Sequence, residues 1–262
     1  MQTVKNSISL TTEELAAVFA LCGFEDIASD VFNSKEIPED RDVLSDYAEN
    51  LEVSLKMKGF WDDERESSVP EGLENLITLI AHSKKKVRFV SGPEVLFIHH
   101  ARMNEAIIQY ISEGTHHFHM VSLDEELKSE LIDFLHIRTG ETLTEHQLDQ
   151  LLLTEELYNQ LHFLSEETHE QILQSDAPAS LKSFLKDFKN NQYEFDNLSL
   201  LDSSFENKEL NVTSVMFYVI ENGYVWWLDY NKVEQDEIYI LPISIEEFMV
   251  AVMDTVNHYL NL

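Results

Sequence analysis

Cysteine, glycine and proline are scarce in this chain of 262 residues, at one, seven and five. The single cysteine, Cys22, excludes an intrachain disulfide and agrees with a reducing compartment. In the apolar run from Ala16 to Phe24 it reads as a buried, inert thiol. The seven glycines are scattered as turn residues, and neither G-x-G-x-x-G nor G-x-x-x-x-G-K-[ST] nor G-x-S-x-G occurs. No nucleotide loop or nucleophile elbow is therefore expected, and no cofactor. No apolar run approaches the length of about 18 residues that a membrane span needs. The N-terminus also lacks a basic segment followed by an apolar stretch, so neither membrane insertion nor a signal peptide is expected, and the reading is cytoplasmic. Basic residues are few as well: 18 against 49 acidic ones give a formal net charge of −31. Such a surface repels nucleic acid and anionic membrane and favours neutral or basic partners. The acidic residues are spread along the chain, as on a solvated surface, and do not form a tail.

Apolar residues make up 44% of the chain and aromatics 10%, enough for a sizeable core. The clearest local signal is Glu221-Asn222-Gly223-Tyr224 between two strand-like runs, Val215 to Ile220 and Tyr224 to Tyr230. Asn-Gly between apolar runs specifies a tight hairpin, and the turn fixes the register. Val219 then faces Trp226, Phe217 faces Leu228, Tyr218 faces Trp227 and Ile220 faces Val225. Both faces of this hairpin are apolar. Either helices of the same chain cover both, or one is left open as a binding surface. A third strand, Glu237 to Leu241, follows, and Ser244 with Glu247 forms a capping box that opens a helix over Ile245 to Tyr259.

The first half begins with Leu10-Thr11-Thr12-Glu13-Glu14-Leu15, a helix start with Thr11 as cap and Glu14 at the reciprocal position, ended by Gly23. A second helix is predicted over Val43 to Lys58, ended by Gly59, and a third is led by Pro70, with Leu73, Leu76, Ile77 and Ile80 inward. Alternation then marks strands at Val87 to Phe89, Val95 to His99, Ala106 to Ile111 and His117 to Val121, before Asp124 caps another helix. The second half repeats this order. Leu143-Thr144-Glu145-His146-Gln147-Leu148 echoes the opening, helical pattern runs from Leu151 through Leu164 and from Glu166 to Gln174, and Pro178 stands where Pro70 stood. The expected fold is α+β: a pseudo-twofold duplicated domain, residues 1–140 and 141–262, with one central antiparallel sheet flanked by helical bundles.

Catalytic chemistry finds little support. His99, His117 and His119 could share a sheet face, and His162, Glu166 and His169 share helical spacing, but the usual ligand pattern is missing, so no metal and no catalytic residue is assigned. With 49 carboxylates, any chosen pair is without meaning until geometry is known.

Several of these elements carry a resemblance to a known family. The opening Leu-Thr-Thr-Glu-Glu-Leu helix ends at Leu21-Cys22-Gly23-Phe24, and the second helix ends in Ser54-Leu55-Lys56-Met57-Lys58-Gly59-Phe60. With the Pro70-led helix, the antiparallel sheet and the duplication, the chain resembles the EspG-type chaperones of type VII (ESX) secretion and the shorter EsaE proteins. The resemblance implies a non-enzymatic cytoplasmic chaperone for a helical secretion substrate, either a WXG- or LXG-like protein or a toxin, acting as monomer or homodimer. Family members hold the tip of a helical hairpin with strands, an inter-strand loop and C-terminal helices. Carried to this chain, that implies a partner-binding site at Tyr224, Trp226, Trp227, Tyr230, Lys232 and Val233, around the segment Asp229 to Glu237. The alternative is an acidic immunity protein that neutralises a cognate toxin domain by charge mimicry.

Overall fold

The structure, a computed structural model, describes residues 7–32, 41–102, 104–137, 148–204, 209–221, 223–230 and 237–260. Gly223, at φ +93°, turns β8 (Glu209–Glu221) into β9 (Tyr224–Asp229). The pairs Tyr218↔Trp227, Val219↔Trp226 and Ile220↔Val225 are those the turn dictates. β10 (Ile238–Ser244) pairs antiparallel with β9 and runs on to Ser244, past the end at Leu241 that alternation suggested. Ser244 then closes a capping box with Glu247 at 3.0 and 3.1 Å and starts α9 (Ile245–Leu260).

The opening element differs from expectation. Thr11 does cap α1 (Thr12–Leu21) in a full capping box, but Ile8–Thr11 is itself a strand, β1. A second short helix, α2 (Glu25–Phe32), follows Gly23 and was not foreseen, although Ile27, Ala28 and Val31 share one face and pack on the core, because eight residues after a glycine stop read as a loop. α3 (Arg41–Met57) and the Pro70-capped α4 (Glu71–His82) lie where spacing placed them. The strands β2 (Lys85–Ser91), β3 (Glu94–Arg102), β4 (Glu105–Ser112) and β5 (Thr115–Ser122) follow, and Asp124 caps α5 (Glu125–Phe134).

Of the echo at Leu143 to Leu148, all but Leu148 lies outside the described residues. The helix expected from Leu151 begins later, because Leu151–Leu153 is a strand, β6. Leu151 and Leu153 are buried and Leu152 is exposed, the period of two that three consecutive leucines conceal in sequence. Pairing with β10 overrides the helical propensity of leucine. Thr154 caps α6 (Glu155–Leu161) as Thr11 caps α1, but with Leu157 at the third position in place of the glutamate that completes the box at α1. α7 (Glu166–Gln174), α8 (Ala179–Asn190) and β7 (Asp196–Ser204) then lead to β8. Pro178 caps α8 at φ −54°, ψ 143°, close to Pro70 at φ −57°, ψ 143°.

The fold is α+β, and the ten described strands form one sheet in the order β1-β5-β4-β3-β2-β7-β8-β9-β10-β6. From either end the order begins with a short strand that leads into a threonine-capped helix. By proximity the chain divides into two compact units: Met1–Lys86 with Glu94–Val121 and Asp202–Asn211, and Val87–Pro93 with Ser122–Leu201 and Val212–Leu262. This division falls at other points than residue 140.

In the first unit Leu10, Leu15, Phe19, Leu73, Ile77 and Phe118 form the heart of the core. Beside it lies a buried charge. Glu14, 2% exposed, accepts from Lys58 Nζ at 2.6 Å, Ser54 Oγ at 2.6 Å and the Thr11 amide at 2.8 Å. One carboxylate thus closes the α1 cap and ties the C-terminal turn of α3 to it. Burial pushes its pKa up, but the hydrogen bonds from Lys58, Ser54 and Thr11 together outweigh this and leave it below the ordinary value. Glu14→Gln is expected to cost about 1–2 kcal/mol in urea unfolding at pH 7, since it weakens three hydrogen bonds to a buried group while the exposed Lys58 ammonium stays solvated. Because the folded pKa is the lower one, the carboxylate's contribution is complete above the unfolded value of 4.5 and is lost as pH falls through the folded value. The gap between wild type and Glu14→Gln should therefore close as pH falls below 4.5.

Candidate partner-binding surface

The hairpin's two faces are both covered within the second unit. On one face Phe184 and Phe188 of α8 pack with Val219, Trp226 and Leu228. On the other, Phe248 of α9 meets Tyr218 at 4.9 Å and Trp227 at 6.0 Å between ring centres. Burying each such aromatic stabilises the fold by about 2–3 kcal/mol.

Each residue implied as a contact can be placed against this core. Trp226 is fully buried, and its Nε1–H donates to Asp187 Oδ2 at 2.8 Å. It is a core residue, and no partner reaches it without opening α8 from the sheet. Tyr224, half-buried, donates its hydroxyl to the same oxygen at 2.6 Å and sets its ring edge-on to Trp226 at 5.5 Å. Burial first, and then the Asp187 bond, push the Tyr224 phenol well above its usual range. Trp227 is half-buried on the opposite face. Tyr230 is half-buried at the end of β9, where its hydroxyl donates to Tyr158 of α6 at 2.9 Å, and burial followed by that bond raises its pKa strongly. Lys232 and Val233 lie outside the described residues. The structure thus gathers Tyr224, Trp226 and Tyr230 on the face under α6 and α8, and puts Trp227 on the other.

Asp187 was not anticipated. It is 5% exposed and holds two aromatic side chains with one oxygen, and its signal was its place beside Phe184 and Phe188 on the buried stripe of α8.

Phe163 was missed for the opposite reason. α6 stops at Leu161, and Phe163, two residues beyond the buried Leu161, is 87% exposed, the most exposed large apolar side chain among the described residues. The corner that presents it is pinned on both sides. Leu161 is buried, and His162 gives its Nδ1 to the Tyr193 carbonyl at 3.0 Å and its ring to Phe188 and Phe195. The Phe163 amide donates to Gln160 O at 3.0 Å, and Ser165 caps α7 through the Thr168 amide at 3.2 Å. Glu166 and Glu167 open α7 beside the corner, while Glu155 and Glu156 open α6 at its far end. Leu157 on α6 and Leu152 on β6 are also half exposed.

The histidines are engaged elsewhere. His99 Nε2 donates to Gln109 Oε1 at 2.8 Å, and Gln109 Nε2 donates to His116 Nδ1 at 2.8 Å. Thr12 Oγ1 meets His116 Nε2 at 3.1 Å. Burial first, then the charge of Lys86, bring His99 down to about 3, and burial with His117 brings His116 down to about 4. His117 bonds Ser9, and His169 bonds the Leu185 carbonyl. Among the described residues no group of three or more His, Cys, Asp or Glu side chains is placed to hold a metal ion. Cys22, half-buried, has its thiol pushed up to about 11, chiefly by burial and then by Glu74.

The class of molecule is therefore an α+β protein built on a large antiparallel sheet, with aromatic-rich helices over its hairpin. Its fold is similar to that of the Mycobacterium tuberculosis type VII secretion system chaperone EspG5, solved in complex with a PE25-PPE41 dimer, at a TM-score of 0.58 and 9% identity over 96% of each chain. The resemblance to EspG-type chaperones read from the sequence is thus met in the fold. No protein-family model matches the chain, and no curated protein matches it in sequence. Among the described residues no helix is long and apolar enough to cross a membrane.

Asp187→Ala leaves the Trp226 indole and the Tyr224 hydroxyl without their acceptor in a buried site. It is expected to destabilise by about 2–4 kcal/mol in denaturant titration, while Asp187→Asn, which keeps an acceptor oxygen, costs about half of that.

Proposed function

We propose that the protein is a cytoplasmic, non-catalytic chaperone that binds a helical type VII secretion substrate, a WXG- or LXG-like protein or toxin, and keeps it soluble for export. The observation that carries this reading is Phe163, an aromatic ring held 87% exposed by a hydrogen-bonded corner, in a chain whose other aromatics are largely committed to the core. A soluble fold normally buries such a ring, and one fixed outward marks a contact with another molecule. The likeness in fold to EspG5, a chaperone solved with a secreted pair, supports the same reading. In this view the partner meets the α6–α7 corner together with Tyr230, Lys232 and Val233. Tyr224, Trp226 and Trp227 hold β9 in place beneath it. The mirrored strand order supports taking residues 1–140 and 141–262 as diverged copies of one unit.

Co-expression with the helical domain of a secreted protein encoded beside this chain tests the proposal. Co-elution on size-exclusion chromatography, with the client soluble only in the complex, is the expected result. Failure to co-elute with any such neighbour overturns it, and binding to a toxin's catalytic domain that vanishes at high salt favours the immunity reading in its place.

A further inference from the structure

The face of α6 that ends in Phe163 carries more than one exposed ring. Glu155, Glu156, Asn159, Gln160 and Phe163 line a shallow groove of 570 Å³. Positions 156, 159 and 160 share one face of α6 and Phe163 follows just beyond its end, so the groove runs along the helix and its apolar end is the corner. Glu155 and Glu156 stand at the opposite end, in the first turn of α6. The groove is thus acidic at one end, amide-lined in the middle and aromatic at the other.

We infer that this groove receives a cationic amphipathic helix, which packs a branched apolar side chain on Phe163 and sets lysine or arginine side chains against Glu155 and Glu156. Three features select that occupant over a neutral or acidic one. The glutamates sit where an incoming helix would lie, and the whole chain adds a net charge of −31 that draws cationic segments in and repels acidic ones. Asn159 and Gln160 can bond side chains of either kind, so they set no barrier to sliding along the groove. Phe163 gives the one large apolar contact that fixes the register, in the manner of an anchor residue ringed by weaker contacts. The inference rests on the chaperone reading only for where such a helix comes from, since the chemistry of the groove is a property of this chain alone.

The test uses the full chain and two synthetic fluorescent peptides of equal length, one alternating leucine and lysine at helical spacing and the other leucine and glutamate. Anisotropy titrations are run with wild type, Phe163→Asp, the double variant Glu155→Lys/Glu156→Lys, and Val250→Asp. Val250 is an exposed apolar residue of α9, 57% accessible and outside the groove, so its variant controls for general loss of apolar surface. The leucine-lysine peptide should bind wild type, weaken about tenfold with Phe163→Asp and about fivefold with the double glutamate variant, and stay within about twofold with Val250→Asp. Its affinity should fall as salt rises from about 0.05 M to about 0.5 M, and less steeply in the glutamate variant. Equal binding by wild type and Phe163→Asp overturns the inference, as does equal binding of the leucine-glutamate peptide. A client that co-elutes with Phe163→Asp as with wild type would leave the chaperone reading intact and remove the groove from it. Peptide binding as expected with no co-eluting client would do the reverse.

Discussion

A two-stranded hairpin that is apolar on both faces cannot stand at the surface of a protein, and this constraint organises the second unit. Val219 and Trp226 demand cover on one side, Tyr218 and Trp227 on the other, and α8 and α9 supply it. The cover brings a cost, because Trp226 and Tyr224 carry polar atoms into the apolar layer. Asp187 offsets it by accepting from both with a single oxygen. The aromatic cluster continues from there through Phe188, Phe195 and Tyr158 to Tyr230, so that α6 is held against the end of β9 by ring packing and one phenol-to-phenol bond. The rigidity that keeps Phe163 outward is a remote result of the hairpin's double-sided hydrophobicity.

The first unit meets the same problem of buried polarity with directional chains. His99, Gln109, His116 and Thr12 form a run of hydrogen bonds in which Gln109 accepts from one imidazole and donates to the next. That direction is satisfied with both rings neutral, in keeping with the downward shift that burial imposes on them. Of the strand histidines that suggested a metal site in sequence, His99 is spent on this connection and His117 on the tie from β5 to β1 through Ser9. A count of histidines could not have separated these uses, because the partner Gln109 has no special spacing in the chain.

Much of the fold was legible where a local rule and a tertiary need agreed. The Asn222-Gly223 turn fixed a register that the sheet then used, and the Thr11/Glu14 and Ser244/Glu247 boxes marked helix starts that the structure keeps. Legibility failed where segments were too short to show a period. Ile8–Thr11 and Leu151–Leu153 are strands only because a neighbour pairs with them. The binding surface was harder still. Trp226 and Trp227 drew attention as large aromatics on a strand, yet size and strand position are also what a core selects. Phe163 was not singled out, because a lone aromatic inside a long helical pattern carries no mark of its exposure until the buried face, here Leu161, is known.

The two outermost strands of the sheet are its shortest, at four residues in β1 and three in β6, and β10 continues past β6 through Leu241–Ser244, where Pro242 has no amide hydrogen to offer. Neither margin therefore presents a long ladder of free donors and acceptors to another chain. In the chaperone role proposed above, this would work as quarantine: a sticky passenger could sit at the helical corner while the described sheet margins give it no seam along which to polymerise.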